Sequence, residues 1–130
     1  MKKAISKKHG RIIIPGATYP WPHEMRVARI LSDAGNVVEF IPRSSVKTAD
    51  ILLNGVEFEI KSPMTDKTNS LEHILKKGLK QSSNLLIDSS RLENSVEQKL
   101  FSFLTSQARK RTRLKRLLFI TKSGKIVDIK

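Results

Sequence analysis

Asp50, Glu59 and Lys61 have the types and the spacing that metal-assisted phosphoryl chemistry needs. Asn54-Gly55 stands between two alternating runs, the signature of a two-residue hairpin. Such a hairpin pairs Leu53 with Val56, Leu52 with Glu57, Ile51 with Phe58 and Asp50 with Glu59. Side chains alternate along a strand, so Ile51, Leu53, Val56, Phe58 and Ile60 form an apolar face, and Asp50, Leu52, Glu57, Glu59 and Lys61 share the other. Opposed Cβ atoms lie about 4.5–5.5 Å apart, where like charges destabilise unless positive charge lies between or beside them. A divalent metal would satisfy both carboxylates, and Lys61 on the same face would hold a water or stabilise a developing phosphorane charge. The plain alternative is the solvated face of a half-exposed hairpin with a cross-strand salt bridge. Against it, the acids stand in a chain poor in acid, the triplet Glu59-Ile60-Lys61 ends its strand at Ser62-Pro63, and an upstream helix offers Glu24. Glu24 alone is weaker evidence, because an acid in a first helical turn also complements the helix dipole.

The elements that must position these groups follow from periodicity. Val27, Ala28, Ile30, Leu31 and Ala34 repeat at helical spacing after Pro22 and stop at Gly35, giving a helix over 22–34. Val37-Val38 with Phe40-Ile41 reads as a strand before Pro42, followed by hairpin strands at about 49–53 and 56–61. Asn69 with Glu72 resembles a capping pair for a helix to Gln81 whose Leu71, Ile74, Leu75 and Leu79 share a face. Leu85-Leu86-Ile87 is a short buried strand. Ser90 with Glu93 caps a third helix that turns Val96, Leu100, Phe103 and Leu104 inward, and strands at 117–120 and 126–129 flank Ser123-Gly124. The expected class is α/β (α+β), a mixed β-sheet flanked by helices in the order α-β-β-β-α-β-α-β-β. Residues 1–10 read as a basic flexible arm and 11–130 as a single domain.

Composition narrows the function. Without cysteine there is neither a disulfide framework nor a Cys-based zinc ribbon. No apolar run approaches the roughly 18–20 residues of a membrane span, and the N-terminal segment lacks an apolar signal core, so the chain is expected to act in cytoplasm. Lys and Arg number 25 against 12 Asp and Glu, a formal charge of +13, which points to a polyanion and first of all to nucleic acid. Between Gln98 and Val127 there is no acid, while Arg109, Lys110, Arg111, Arg113, Lys115 and Arg116 cluster there as a backbone-docking stretch. Lys76, Lys77 and Lys80 lie opposite an apolar helix face and either line a phosphate track or are simply solvated. His9, His23 and His73 have no zinc-site spacing, and the glycines form no phosphate-cradling loop. For Tyr19 and Trp21, packing of a proline-rich loop onto the sheet is favoured over stacking on an unpaired base.

Asp50-x8-Glu59-x-Lys61 resembles the signature of the PD-(D/E)XK nuclease superfamily, in which a hairpin presents Asp and (Asp/Glu)-x-Lys to a metal and a preceding helix adds an acid. The resemblance extends through Val37-Val38-Glu39-Phe40, Thr48-Ala49-Asp50-Ile51, Phe58 to Pro63, Leu79-Lys80-Gln81, Leu85-Leu86-Ile87-Asp88 and the last hairpin. Over about residues 20–130 the chain is similar to the C-terminal tRNase domains of CdiA-type contact-dependent growth-inhibition toxins. That likeness implies a restriction-endonuclease-like core and a catalytic set of Glu24, Asp50, Glu59 and Lys61. Asp50, Glu59 and Glu24 would hold a hard divalent cation, Mg²⁺ or Mn²⁺. It further implies an RNase acting on tRNA, an acidic immunity protein as partner, and delivery as part of a larger secreted toxin. A DNase of the same fold and a non-catalytic nucleic-acid-binding module are the rivals.

Overall fold

The computed structural model describes residues 10–44, 46, 48–93 and 96–130. Apart from Gly10, the expected arm lies outside the described residues. Strand β1 (Arg11–Ile13) leads into helix α1 (Pro22–Asp33), strand β2 (Val37–Phe40) and the hairpin strands β3 (Ile51–Leu53) and β4 (Val56–Lys61). Helix α2 (Thr68–Gln81), strand β5 (Asn84–Asp88), helix α3 (Glu97–Lys110) and strands β6 (Arg116–Ile120) and β7 (Ile126–Asp128) complete the domain. The seven strands form one sheet in chain order, β1 through β7. β1 runs parallel to β2, and β4, β5 and β6 are mutually parallel; β2–β3, β3–β4 and β6–β7 are antiparallel. This is the expected mixed α+β architecture.

β1 is an addition to the expected order. Ile12 and Ile13 are β-branched and pair with Val38 and Glu39, a partnership too short for periodicity to announce. Gly10 is what admits the chain there, since a Cβ on it would lie 2.2 Å from the Ser32 carbonyl oxygen and 2.4 Å from that of Asn36. The hairpin register is as expected, with Ile51 opposite Phe58, Leu52 opposite Glu57 and Leu53 opposite Val56. Asn54 and Gly55 both take positive φ, 51° and 85°, as a two-residue turn of this hand requires. Val56, expected on the buried face, is exposed because it stands at the hairpin tip beyond the reach of α1.

Two expected caps are absent. Helix α2 begins at Thr68 with Lys67 as its cap, so Asn69 and Glu72 lie inside its first turns. Helix α3 begins at Glu97, and the Ser90–Glu93 pair does not cap it. The reason is a stronger demand nearby: Asp88 is fully buried at the end of β5 and takes the Ser90 N–H (3.1 Å), the Ser90 hydroxyl (2.8 Å) and the Arg26 guanidinium (2.8 Å). A buried carboxylate left without donors costs more than a missing cap, so Ser90 turns to Asp88. Glu97 in turn receives the Ser89 hydroxyl and the Lys122 N–H, tying α3 to the end of β5 and to the turn after β6.

The sheet is covered on both faces. Val27, Ala28 and Leu31 of α1 pack on Val38, Phe40, Ile51, Phe58, Ile60, Leu86 and Leu118. Leu71 and Leu75 of α2 and Leu100 and Leu104 of α3 pack on Leu85, Ile87, Leu117 and Phe119. Glu59 and Lys61 point from β4 to the α2 side, so β4 is apolar toward α1 and charged toward α2.

Candidate active site

Asp50 ends the hairpin ladder. Its N–H donates to the Phe58 carbonyl at 3.1 Å, one residue away from the register that would oppose it to Glu59. Its carboxylate takes over from the backbone, accepting the Ile60 N–H on Oδ2 at 2.7 Å. One oxygen of Asp50 is thereby fixed to β4. Glu59 is 5% exposed. Its Oε2 meets Lys61 Nζ at 3.0 Å, whereas its Oε1 is buried and finds no hydrogen-bond partner among the described residues. Burial, together with the charge of neighbouring Asp50, pushes the Glu59 carboxyl up to about 7 against the pull of Lys61. The expected cross-strand opposition of Asp50 and Glu59 is thus not continued by the ladder, but the two carboxylates remain close enough for the Asp50 charge to act on Glu59, with Lys61 on the other side of Glu59 as its counter-ion.

Asp50 also lines a cleft of about 230 Å³ whose wall includes Thr18, Glu24, Arg43, Thr48 and Gln81. Thr18 Oγ1 and Gln81 Oε1 are, like Glu59 Oε1, buried and unpartnered among the described residues. Two of these three oxygens, those of Thr18 and Gln81, belong to residues that line the cleft with Asp50. Glu24 faces this cleft but is already engaged: Oε1 accepts the Trp21 N–H at 2.9 Å and Arg43 Nη2 at 3.1 Å. Among the described residues, no three His, Cys, Asp or Glu side chains gather as a cation site. The oxygen donors that could hold a metal are Asp50 and Glu59, and Glu24 lines the same cleft as Asp50, with Arg43 as its counter-ion.

A second cleft, of about 450 Å³, opens between the C-terminal halves of α2 and α3. Lys76, Lys77 and Lys80 meet Lys110, Arg111 and Arg113 there, along with His73. The two basic stretches, remote in sequence, thus form one surface, and the last turn of α2 lies between it and the acidic cleft, with Lys80 in one wall and Gln81 in the other. Arg109 and Lys115 are exposed but do not line it. Arg116 is turned away altogether, its guanidinium 5.2 Å from the Phe58 ring on the α1 face.

The profile of the family described as contact-dependent growth inhibition CdiA C-terminal domain matches residues 47–126, more than half of the chain. The chain belongs to that family. The matched stretch of this CdiA C-terminal domain contains Asp50, Glu59, Lys61 and both walls of the basic cleft, but not Glu24. Among solved structures, a chain of a CdiA-CT/CdiI toxin and immunity complex from Burkholderia pseudomallei is similar in fold, with a TM-score of 0.65 and 18% sequence identity over 90% of this chain and 98% of that one. No curated protein matches the sequence.

Arg43, Gln81 and Thr18 are the site residues that sequence reasoning did not find. Arg43 is one cation among many in a basic chain, and Gln81 follows the apolar repeat of α2 without breaking it. Only the placement of α2 on β4, where Gly78 brings the helix close enough for a Cβ to lie 3.7 Å from Lys61 Cε, makes Gln81 a neighbour of the carboxylates' cleft.

Proposed function

We propose that this growth-inhibition domain is a metal-dependent endonuclease of the PD-(D/E)XK type that hydrolyses phosphodiester bonds, with RNA, and tRNA in particular, as substrate. The observation that carries the reading is the Asp50–Glu59–Lys61 group: two adjacent carboxylates, one with a buried unpartnered oxygen, beside an ammonium and within reach of a basic cleft. The donor set fits a hard cation, because Mg²⁺ is held by one or two carboxylates and completes its shell with water and phosphate oxygens. When bound, such a cation supplies Lewis-acid charge to the scissile phosphate.

The chain's own residues do the rest. Asp50, held at Oδ2 by the Ile60 N–H, lines the cleft and keeps its other oxygen for a ligand. Lys61 Nζ orients the attacking water and stabilises charge on the phosphate oxygens. Glu24 completes the site through a bridging water, with Arg43 balancing its charge until a phosphate competes for the guanidinium. Lys76, Lys77, Lys80, Lys110, Arg111 and Arg113 hold the flanking phosphates, which fixes position without reading sequence. The preference for tRNA rests on the likeness to tRNase domains. The similar solved chain comes from a toxin and immunity complex, which supports an inhibitory acidic partner for this domain, and the match to a CdiA C-terminal domain supports its delivery as part of a larger toxin.

The test is to incubate the chain with total RNA, plasmid and single-stranded DNA in Mg²⁺, Mn²⁺, Zn²⁺ or chelator. Cleavage of tRNA in Mg²⁺ or Mn²⁺, lost in chelator and in Glu59→Gln, is the expected result. Cleavage confined to DNA would make it a DNase, and binding without turnover would make it a nucleic-acid-binding module.

A further inference from the structure

Tyr19 is 80% exposed and Trp21 59% exposed, so the proline-rich loop does not pack its rings onto the sheet as expected. Both rings stand next in the chain to residues that line the acidic cleft. Thr18 and Pro20, which alternate with them along the loop, line that cleft. Arg43 lines it too, and its guanidinium lies 5.9 Å from the centre of the Trp21 ring. Trp21 is anchored through its N–H to Glu24 and holds φ −68° and ψ 154°. Each ring precedes a proline, Pro20 or Pro22, which confines its backbone to extended conformations. The rings are therefore presented on a stiff segment, and little order remains to be imposed when a ligand arrives.

We propose that Trp21, flanked by Tyr19 and Arg43, is a stacking platform for an unpaired nucleobase of the strand whose phosphate occupies the acidic cleft, so that this domain selects single-stranded or looped nucleic acid over duplex. The proposal deepens the phosphodiesterase reading and rests on it. A planar π-face beside a guanidinium suits a base, whose faces are apolar and whose edges and phosphate are polar. In a duplex those faces are covered by neighbouring pairs and cannot reach the ring. The orphaned Thr18 Oγ1 lies one residue inside the platform, where it can bond to sugar or phosphate of the stacked nucleotide.

Trp21 is the only tryptophan, so its fluorescence reports on this site alone. Wild-type chain in chelator, which prevents cleavage, is titrated with a labelled single-stranded RNA and with the same strand in a duplex, following Trp21 emission and label anisotropy together. Quenching by the single strand and not by the duplex is expected. Trp21→Ala should weaken single-strand binding at least about tenfold while leaving duplex binding nearly unchanged, and Trp21→Phe should restore most of the loss. Tight binding of both with no selective quenching, or equal loss for both in Trp21→Ala, overturns the platform and leaves the phosphodiesterase reading standing. Failure of both nucleic acids to bind overturns the platform and the phosphodiesterase reading together.

Discussion

At the scale of single residues, Glu59 is the most informative position. Burial and the charge of Asp50 push its carboxyl up to about 7 in the folded domain, from an ordinary 4.5. Between those values the folded chain holds a proton that the unfolded chain has released, so stability falls as pH rises through this window and levels off above it. The loss is roughly 3 kcal/mol at most. Glu59→Gln should abolish it: the variant should be more stable than wild type above pH 7, equal to it near pH 4.5, and inactive, as denaturant melts and cleavage assays across pH would show. A divalent cation competes with the same proton, so its stabilisation of the wild type should grow with pH over the same range. Asp50 behaves differently. Asp50→Ala leaves the buried Ile60 N–H without its acceptor and should cost about 1–3 kcal/mol as well as activity, whereas Asp50→Asn, which can still accept that bond, should lose cleavage and keep most of the stability. The pair itself was legible in the sequence because hairpin alternation is strict. Its surroundings were not: that Arg43 engages Glu24, and that Gln81 and Thr18 turn unpartnered oxygens inward, depends on contacts between segments with no shared period.

At the scale of elements, the sequence revealed helices and strands wherever apolar spacing persisted over several turns or an Asn-Gly turn fixed the register. It was silent on β1, which is three residues long, and misleading at the starts of α2, which begins before Asn69, and of α3, where Ser90 bonds to Asp88 instead. α2 has the largest functional burden, since its last turn separates the acidic cleft from the basic one. It sits low on β4 and β5 because Gly78 has no side chain: a Cβ there would lie 3.0 Å from Leu85 Cδ2. Gly78→Val should lift the helix, cost about 1–3 kcal/mol in denaturant melts, and depress kcat through Lys61 while nucleic-acid affinity changes less. Replacing Lys76, Lys80, Lys110 and Arg113 by Gln should do the reverse. The slope of log affinity against log salt should flatten by as much as about 3, equally for all sequences, with a smaller change in kcat. An unchanged slope would show that the α2–α3 cleft does not face the strand.

At the scale of the whole molecule, the formal charge of +13 sets how partners arrive. A protein that silences the proposed activity by covering either cleft should be acidic, and its association should slow by about tenfold or more between low and physiological salt, which stopped-flow mixing would measure. A salt-independent on-rate would place its contacts elsewhere. The sheet has a mechanical consequence as well. Its strands lie side by side in the order in which the chain runs, and the two edges are β1 and β7, each three residues long. Tension applied at either flank therefore meets an edge strand first, never one trapped between two neighbours, and each release exposes the next strand as the new edge. From the C-terminal flank the first resistance is the β6–β7 pair alone, whereas from the N-terminal flank the release of β1 is followed by α1, which packs on strands from β2 to β6 and is tied by Arg26 to Asp88.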